Sequence, residues 1–382
     1  MRARPPIYLD YNATTPLDPR VLEAMLPYFE QHYGNPASAL HAYGWQAKEA
    51  VELAREQIAQ LLQASPEEII FTSGATEALN LAVQGIAQRY YTRGRHIITV
   101  QTEHRAILEP CHALERAGFQ VTYLPVNASG EVSPASIEAA ITPDTLLIAV
   151  MWANNETGVI QPIESIAAIA RKHRVLLLTD ATQAVGKVPV SVEHVDLLAC
   201  SAHKFYGPKG AGVLYVRRKN PRVQIAPLIY GGGQERGLRG GTLNVPAIVG
   251  MGKAAQLAHQ CLREEAQRLS TLRDTLEHTL KKHFPALRIN SAEAPRLPQT
   301  SSLTFPGIRA DQLATHTRTL AFSAGSACTS ASGKPSHVLK AMGLTDEQAL
   351  STVRLSLGRF TTPEDIKDTL QVLQEALTTM LT

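Results

Sequence analysis

Residues 175–187 read VLLLTDATQAVGK and, after a short apolar bridge, residues 201–212 read SAHKFYGPKGAG. The apolar run ending on Asp180 has the pattern of a buried strand with a carboxylate at its C-terminal end, where α/β sheets bind their ligands. Lys204 follows in a Ser-x-His-Lys context, and Gly207, Pro208 and Gly210 shape a tight loop after it. Taken singly, each residue has an ordinary reading: Asp180 as a helix N-cap, Lys204 as a surface lysine in a turn. Together they are the two groups that pyridoxal phosphate (PLP) requires, a carboxylate to pair with the protonated pyridine nitrogen and an amine to form an imine with the aldehyde. Gln183 adds an amide able to hydrogen-bond the phenolic oxygen of that cofactor. PLP chemistry places the chain among enzymes of amino acids.

Outward from this stretch, apolar runs alternate with helical patterns. Strands are predicted at Glu68 to Thr72, His96 to Val100, Gln120 to Leu124, Leu146 to Met151, Val175 to Thr179, Leu197 to Ser201 and Val213 to Val216. Helices are predicted at Thr76 to Arg89, Arg105 to Ala117 and Ile163 to His173. Leucine-rich and β-branched runs without polar alternation indicate strands covered on both faces, and strand–helix alternation indicates a mostly parallel α/β sheet. The pattern changes near residue 246. A long helix from Pro246 to about His283 leads into short strands (Thr300 to Phe305, Ala321 to Ser323, Val353 to Ser356) and a closing amphipathic helix, Pro363 to Leu381. The expected organisation is a large α/β domain over 16–250 and a smaller α+β domain formed by 1–15 and 251–382. Gly231 to Gly233 and Gly240–Gly241 read as a flexible crossing, closer to a site loop than to a linker.

The 382 residues suffice for two domains. A hydrophobic content of 44% with 19% charged residues is that of a globular protein, and a net charge of +3 with scattered basic residues gives no nucleic-acid surface. The four cysteines, Cys111, Cys200, Cys261 and Cys328, include no C-x-x-C and no metal-ligand spacing, so neither a disulfide framework nor a metal site is expected, and a reducing compartment is. The N-terminus has no apolar signal region and no run is long enough to span a bilayer. A cytoplasmic protein without membrane attachment is the expectation.

Further residues carry chemistry. Ser73-Gly74-Ala75-Thr76-Glu77 follows a predicted strand and opens a helix, so its backbone N–H groups, with the Thr76 hydroxyl, make a phosphate seat; plain helix capping is the alternative. Ser201 and His203 can donate to the same phosphate. His104, just past a strand end, can stack on the cofactor ring and move protons, or be structural. Cys328 lies in SAGSACTSAS (323–332), small, polar and without apolar periodicity, whereas Cys111 and Cys200 sit in apolar surroundings. Cys328 is the cysteine placed for nucleophilic work. Arg354 is a charge inside a predicted strand, where a bidentate grip on a substrate α-carboxylate supplies the reason. Asn155, in NNETG after a strand, can assist, or serve as a turn residue.

These motifs together resemble the cysteine desulfurases, within the class V aminotransferase group of PLP fold type I. The resemblance covers nearly the whole chain: YLDYNATTP (8–16), YGNPAS (33–38), FTSGATEALNLA (71–82), TEHRAIL (102–108), MWANNETG (151–158), the two opening segments, RGGTLN (239–244), GSACTSAS (325–332) and VRLSLGRFTT (353–362). The stretch around Cys328 is similar to the subgroup with the longer, mobile cysteine loop. The resemblance implies a mostly parallel, mixed seven-stranded sheet between helices, with a smaller α+β domain. It implies Lys204 as the Schiff-base lysine, His104 as the ring-stacking acid/base, Asp180 and Gln183 as tuners of the ring, and Ala75, Thr76, Ser201 and His203 as holders of the phosphate. Thr242 would reach the phosphate of a neighbouring subunit, which implies a homodimer. Asn155 and Arg354 would bind the carboxylate of L-cysteine, and Cys328 would take its sulfur as a persulfide, releasing L-alanine. The persulfide would pass to sulfur-acceptor proteins such as an iron–sulfur scaffold. Longer members dock that scaffold through a C-terminal tail; the sequence here stops at Thr382 after the predicted closing helix, so tail-mediated docking is not expected. The competing readings are a selenocysteine lyase or another class V aminotransferase and, from a different class, a non-catalytic partner protein that keeps the fold. Cys328 argues against a transaminase; the joint presence of Lys204, Asp180, His104 and Cys328 argues against a non-catalytic role.

Overall fold

The computed structural model describes residues 5–324 and 333–381. The chain enters on a two-residue strand, β1 (Ile7–Tyr8), and passes through the helices Pro19–Met25, Pro27–Glu30 and Ala42–Leu62. A seven-stranded sheet follows: β2 (Ile69–Thr72), β3 (His96–Val100), β4 (Gln120–Leu124), β5 (Thr145–Ala149), β6 (Leu176–Asp180), β7 (Leu197–Ser201) and β8 (Gly212–Val216), in the order β2-β8-β7-β6-β5-β3-β4. β8 runs antiparallel to both its neighbours, and the other pairs are parallel. This is the mixed, mostly parallel sheet expected from the sequence.

The burial pattern explains why these runs are strands. Every residue of β2, β3, β5, β6, β7 and β8 is buried, whereas the edge strand β4 is partly exposed. Successive side chains of a strand point to opposite faces, and here they enter two different cores. Leu177, Leu198 and Cys200 belong to one, with the helices Ala42–Leu62 and Ile163–His173; Leu176, Leu178, Leu197 and Ala199 belong to the other, with Ala75–Arg89. The sheet is therefore the middle of three layers, and its central strands are apolar along most of their length.

The 39-residue helix Val245–His283 joins this body to a second one. Its N-terminal part (Val245, Ile248, Met251, Ala255) packs in the first core. Its C-terminal part (Leu269, Leu272, Leu276, Leu280) packs in a third core with Leu9 and the closing helix Pro363–Leu381. In that body β9 (Arg288–Ile289), β10 (Thr300–Thr304) and, later in the chain, the strand Thr352–Ser356 form an antiparallel sheet centred on β10. β11 (Leu320–Ala321) pairs in parallel with β1, and Thr352–Ser356 is β12. The strand predicted at Ala321 to Ser323 is thus displaced toward the N-terminus. Its sequence is too short to set a register, and Ser323 forms an isolated bridge with Arg354 instead. The glycine-rich crossing is not loose: Glu235 within it makes a buried two-bond ion pair with Arg55, at 2.9 and 3.0 Å, and accepts from Phe71 N at 2.8 Å. Among the described residues, no helix is long and apolar enough to cross a membrane.

Candidate active site

The parallel strands β5, β6 and β7 end on the same edge of the sheet, which carries Asp180, the last residue of β6 and opposite Ala199, and Ser201, the last of β7. Lys204 follows one 3-10 turn after β7, in Ala202–Lys204. A cavity of about 470 Å³ opens there, within the range for small-molecule sites. Ala75, Thr76, His104, Asn155, Asp180, Gln183, Ser201, His203, Lys204 and Arg354, candidates from the sequence, all line it. Thr242 does not line it and is exposed. Cys328 lies outside the described residues.

Lys204 Nζ donates to the backbone carbonyls of Asn12 and Ala13, each at 2.7 Å. Gln183 Nε2 donates to the same Asn12 carbonyl at 2.8 Å. Asn12 is the residue that sequence reasoning missed. Its side chain donates to Thr300 Oγ1 and to the Asn155 carbonyl, at 2.9 and 3.2 Å, and accepts from Gln299 Nε2 at 3.1 Å. It ties the N-terminal segment to both bodies of the protein and presents a carbonyl to the lysine. A role exercised through a backbone oxygen leaves no side-chain signature; the sole signal was a polar run with no apolar period. Lys187 was missed as well. It is buried, desolvation pushes its pKa down to about 7, and its Nζ donates to Gln183 Oε1 at 3.5 Å, which turns the Gln183 amide with its N–H₂ toward Asn12.

Asp180 Oδ1 accepts from Thr182 N at 2.9 Å, so the ordinary capping role is real. Its Oδ2 accepts no hydrogen bond, and no cation pairs with it, among the described residues. A buried carboxylate without a counter-cation is costly unless a cation arrives, which a protonated pyridine nitrogen would be. His104 is the N-cap of the helix Arg105–Arg116 and accepts from Ala106 N at Nδ1, 3.1 Å. Burial pushes its pKa down, so the ring is neutral with its proton on Nε2 and its plane fixed by the cap.

The phosphate end is a cradle made by glycines. A Cβ on Gly212 would fall 2.4 Å from Gly74 Cα, and one on Gly74 would stand 3.6 Å from Ser201 Oγ. The absence of the first lets the turn before the helix Ala75–Arg89 settle on the start of β8; the second would be an ordinary contact. The free N–H groups of that helix N-terminus then share one concavity with Thr76, Ser201 and His203. Ser73 N is taken by Glu77 Oε2 at 2.8 Å, and Arg239 neutralises that carboxylate at 2.9 Å. An anion cradle at one end, an unpaired carboxylate deep in the wall and a lysine held on two carbonyls fit the three ends of PLP. We expect Gly212→Ala to lower stability by about 1–3 kcal/mol, because the clash is with backbone and no rotamer relieves it. Urea unfolding and the PLP dissociation constant read the two consequences.

His203 Nδ1 sits 3.1 Å from Thr14 Oγ1, and burial, then the neighbouring Lys204, pushes its pKa from 6.5 down to about 4. Between those values the unfolded chain binds the proton that the folded chain refuses. Stability therefore rises with pH through this window and is lost as pH falls from about 6.5 to 4. His203→Gln should flatten that slope, read as a smaller difference between urea midpoints at the two ends of the window than the wild type shows.

Arg354 is 2% exposed on β12, and its Nη1 donates to the Asn155 carbonyl at 2.8 Å. The two residues assigned to the substrate carboxylate thus meet, with Asn155 contributing its backbone. Cys111 and Cys200 are buried, and burial pushes both thiols up to about 12; Cys261 lies on the long helix. Among the described residues no group of His, Cys, Asp and Glu could hold a metal ion.

The class V aminotransferase family model matches residues 7–369. The chain is 52% identical over 372 residues to the cysteine desulfurase IscS of Anaeromyxobacter sp. (strain K), covering 97% of this chain and 92% of that protein. It is 48% identical over 368 residues to the human cysteine desulfurase, covering 96% of this chain and 80% of that protein. Among solved structures, a NifS-like protein superposes with a TM-score of 0.91 at 41% identity, over 98% of this chain and 100% of that one. SspA, solved in complex with cysteine, superposes with a TM-score of 0.82 at 41% identity, over 93% of this chain and 99% of that one. With the PLP-shaped site already in place, the chain belongs to the cysteine desulfurases of the class V aminotransferase family.

Proposed function

We propose that the protein removes the sulfur of L-cysteine, leaving L-alanine, and holds that sulfur as a persulfide on Cys328. The observation that carries this reading is the convergence of Lys204, Asp180, His104 and the glycine cradle on one cavity that also exposes the buried Arg354. PLP, when bound, supplies the electron sink that makes the substrate Cα–H acidic. The protein's own groups do the rest. The cradle and Thr76, Ser201 and His203 hold the phosphate; Asp180 and Gln183 hold the ring; Arg354 and Asn155 hold the substrate carboxylate. Lys204 Nζ moves the Cα proton, and neutral His104 exchanges a proton through Nε2. The substrate Cβ–S bond breaks as the Cys328 thiolate forms the new S–S bond, Cβ takes a proton, and Lys204 Nζ returns a proton to Cα to complete alanine. A cysteine bound to the similar SspA structure supports the choice of substrate.

A homodimer fits the surface. Thr242 lies outside its own cavity, and Leu26, Phe29, Tyr33, Leu40 and Trp45 on the N-terminal segment are exposed apolar side chains of the kind that a second copy covers. In the dimer Thr242 completes the phosphate seat of the other subunit. The stored sulfur is then passed to acceptor proteins such as an iron–sulfur scaffold, in the cytoplasm, where reduced thiols persist. The reading is tested by incubating the purified yellow protein with L-cysteine and a dithiol. Alanine and sulfide in equal amounts are expected; a keto acid in place of alanine overturns it in favour of transamination.

A further inference from the structure

A buried guanidinium points where its hydrogen-bond acceptors hold it. Arg354 is clamped on two sides. The Asn155 carbonyl takes Nη1 at 2.8 Å, and Asp10 Oδ1 takes Nη2 at 2.6 Å. The other oxygen of Asp10 accepts from Ser323 Oγ at 3.0 Å, and that hydroxyl is itself 3.3 Å from Nη2. Ser323 and Arg354 are also paired through their backbones in both directions, at 3.3 and 2.7 Å. Asp10 is fixed in turn: it bridges Ser356, and its carbonyl accepts from Tyr8 Oη at 3.1 Å and Ala13 N at 3.0 Å. Arg354 Nε is buried with no partner among the described residues. One edge of the fork is therefore saturated by protein, while the Nε N–H of this cavity-lining residue has no acceptor among the described residues. Leaving a buried donor unsatisfied is costly, and an incoming carboxylate would relieve it.

We propose that Asp10 is a positioning residue for substrate recognition: by holding Arg354 Nη2 and the Ser323 hydroxyl on its two oxygens, it fixes the fork so that the remaining N–H groups meet the substrate carboxylate. The inference rests on Arg354 as the carboxylate-binding residue. Asp10 also compensates the buried cation while the site is empty, where an unpaired charge would be expensive.

The test is steady-state kinetics of the PLP-loaded enzyme with L-cysteine, run on Asp10→Ala, Asp10→Asn and Arg354→Ala in parallel. Asp10→Ala should raise KM roughly ten- to a hundredfold, with kcat within about twofold and the cofactor absorption unchanged. Asp10→Asn keeps an oxygen on Nη2 and loses only the charge, so its KM should rise roughly threefold; it also stands in if the alanine variant does not fold. Unchanged KM in the Asp10 variants overturns the inference, as does a fall in kcat and bound cofactor with KM unmoved, which is what a merely structural role would give. If Arg354→Ala raises KM and the Asp10 variants do not, only the role of Asp10 falls. If Arg354→Ala leaves KM unmoved, the carboxylate assignment falls with it.

Discussion

Lys204→Ala should replace the visible band of lysine-bound PLP by that of the free aldehyde and reduce desulfuration of L-cysteine by on the order of a thousandfold. The amine is lost from a place built for it, since two backbone carbonyls accept from Nζ at 2.7 Å each. Removing it leaves the half-buried Ala13 carbonyl without that donor, a cost of about 0.5–1.5 kcal/mol that alone would lower stability. Lys204→Arg separates the two effects, because it keeps a donor and a positive charge but forms no imine. Both variants should retain PLP through the glycine cradle and Asp180, with weakened affinity. Absorption spectra, and borohydride reduction followed by mass measurement of the Lys204 peptide, read the result. An unchanged spectrum in Lys204→Ala would remove the lysine from its assigned role.

Cys328→Ala should keep the colour and the binding of L-cysteine and lose sulfur transfer, with alanine formation falling to the background rate. No buried cysteine can take over. The thiols of Cys111 and Cys200 are pushed up to about 12 by burial, so neither supplies a thiolate at neutral pH. Cys111→Ala and Cys200→Ala should accordingly keep turnover. The check is alanine release under a dithiol, with trapping of the persulfide by an alkylating reagent and location of the adduct by peptide mass. Desulfuration of L-cysteine by Cys328→Ala at the normal rate would sink the assignment.

The legibility of this chain varied with how each residue works. The central strands were readable because a sheet covered on both faces is apolar along most of each strand, and β3 and β7 run over the predicted residues. The helix Ala42–Leu62 was not read. Its buried stripe (Ala47, Val51, Ala54, Ile58, Leu62) is rich in alanine, and exposed Tyr43, Trp45 and Leu53 blur the period. Asp180, Lys204, His104 and Cys328 could be singled out as candidates because side-chain chemistry at strand ends and in a small-residue segment is a local property. Arg354 announced itself as a charge inside a strand. Its partner Asp10 did not, being 344 residues away.

Local sequence therefore determined the layers of the fold and the cofactor, and it named the side chains that are candidates for the reaction. Each follows from burial periodicity or from functional groups at fixed offsets along a few residues. Tertiary structure alone decided how those groups are aimed. Asn12 offers a backbone carbonyl to Lys204, Gly212 lets two backbones approach where a Cβ would collide, and Asp10 holds Arg354 from the opposite end of the chain. Orientation depends on contacts between segments brought together by folding, through backbone atoms that every residue shares, so no pattern of side chains along the chain records it.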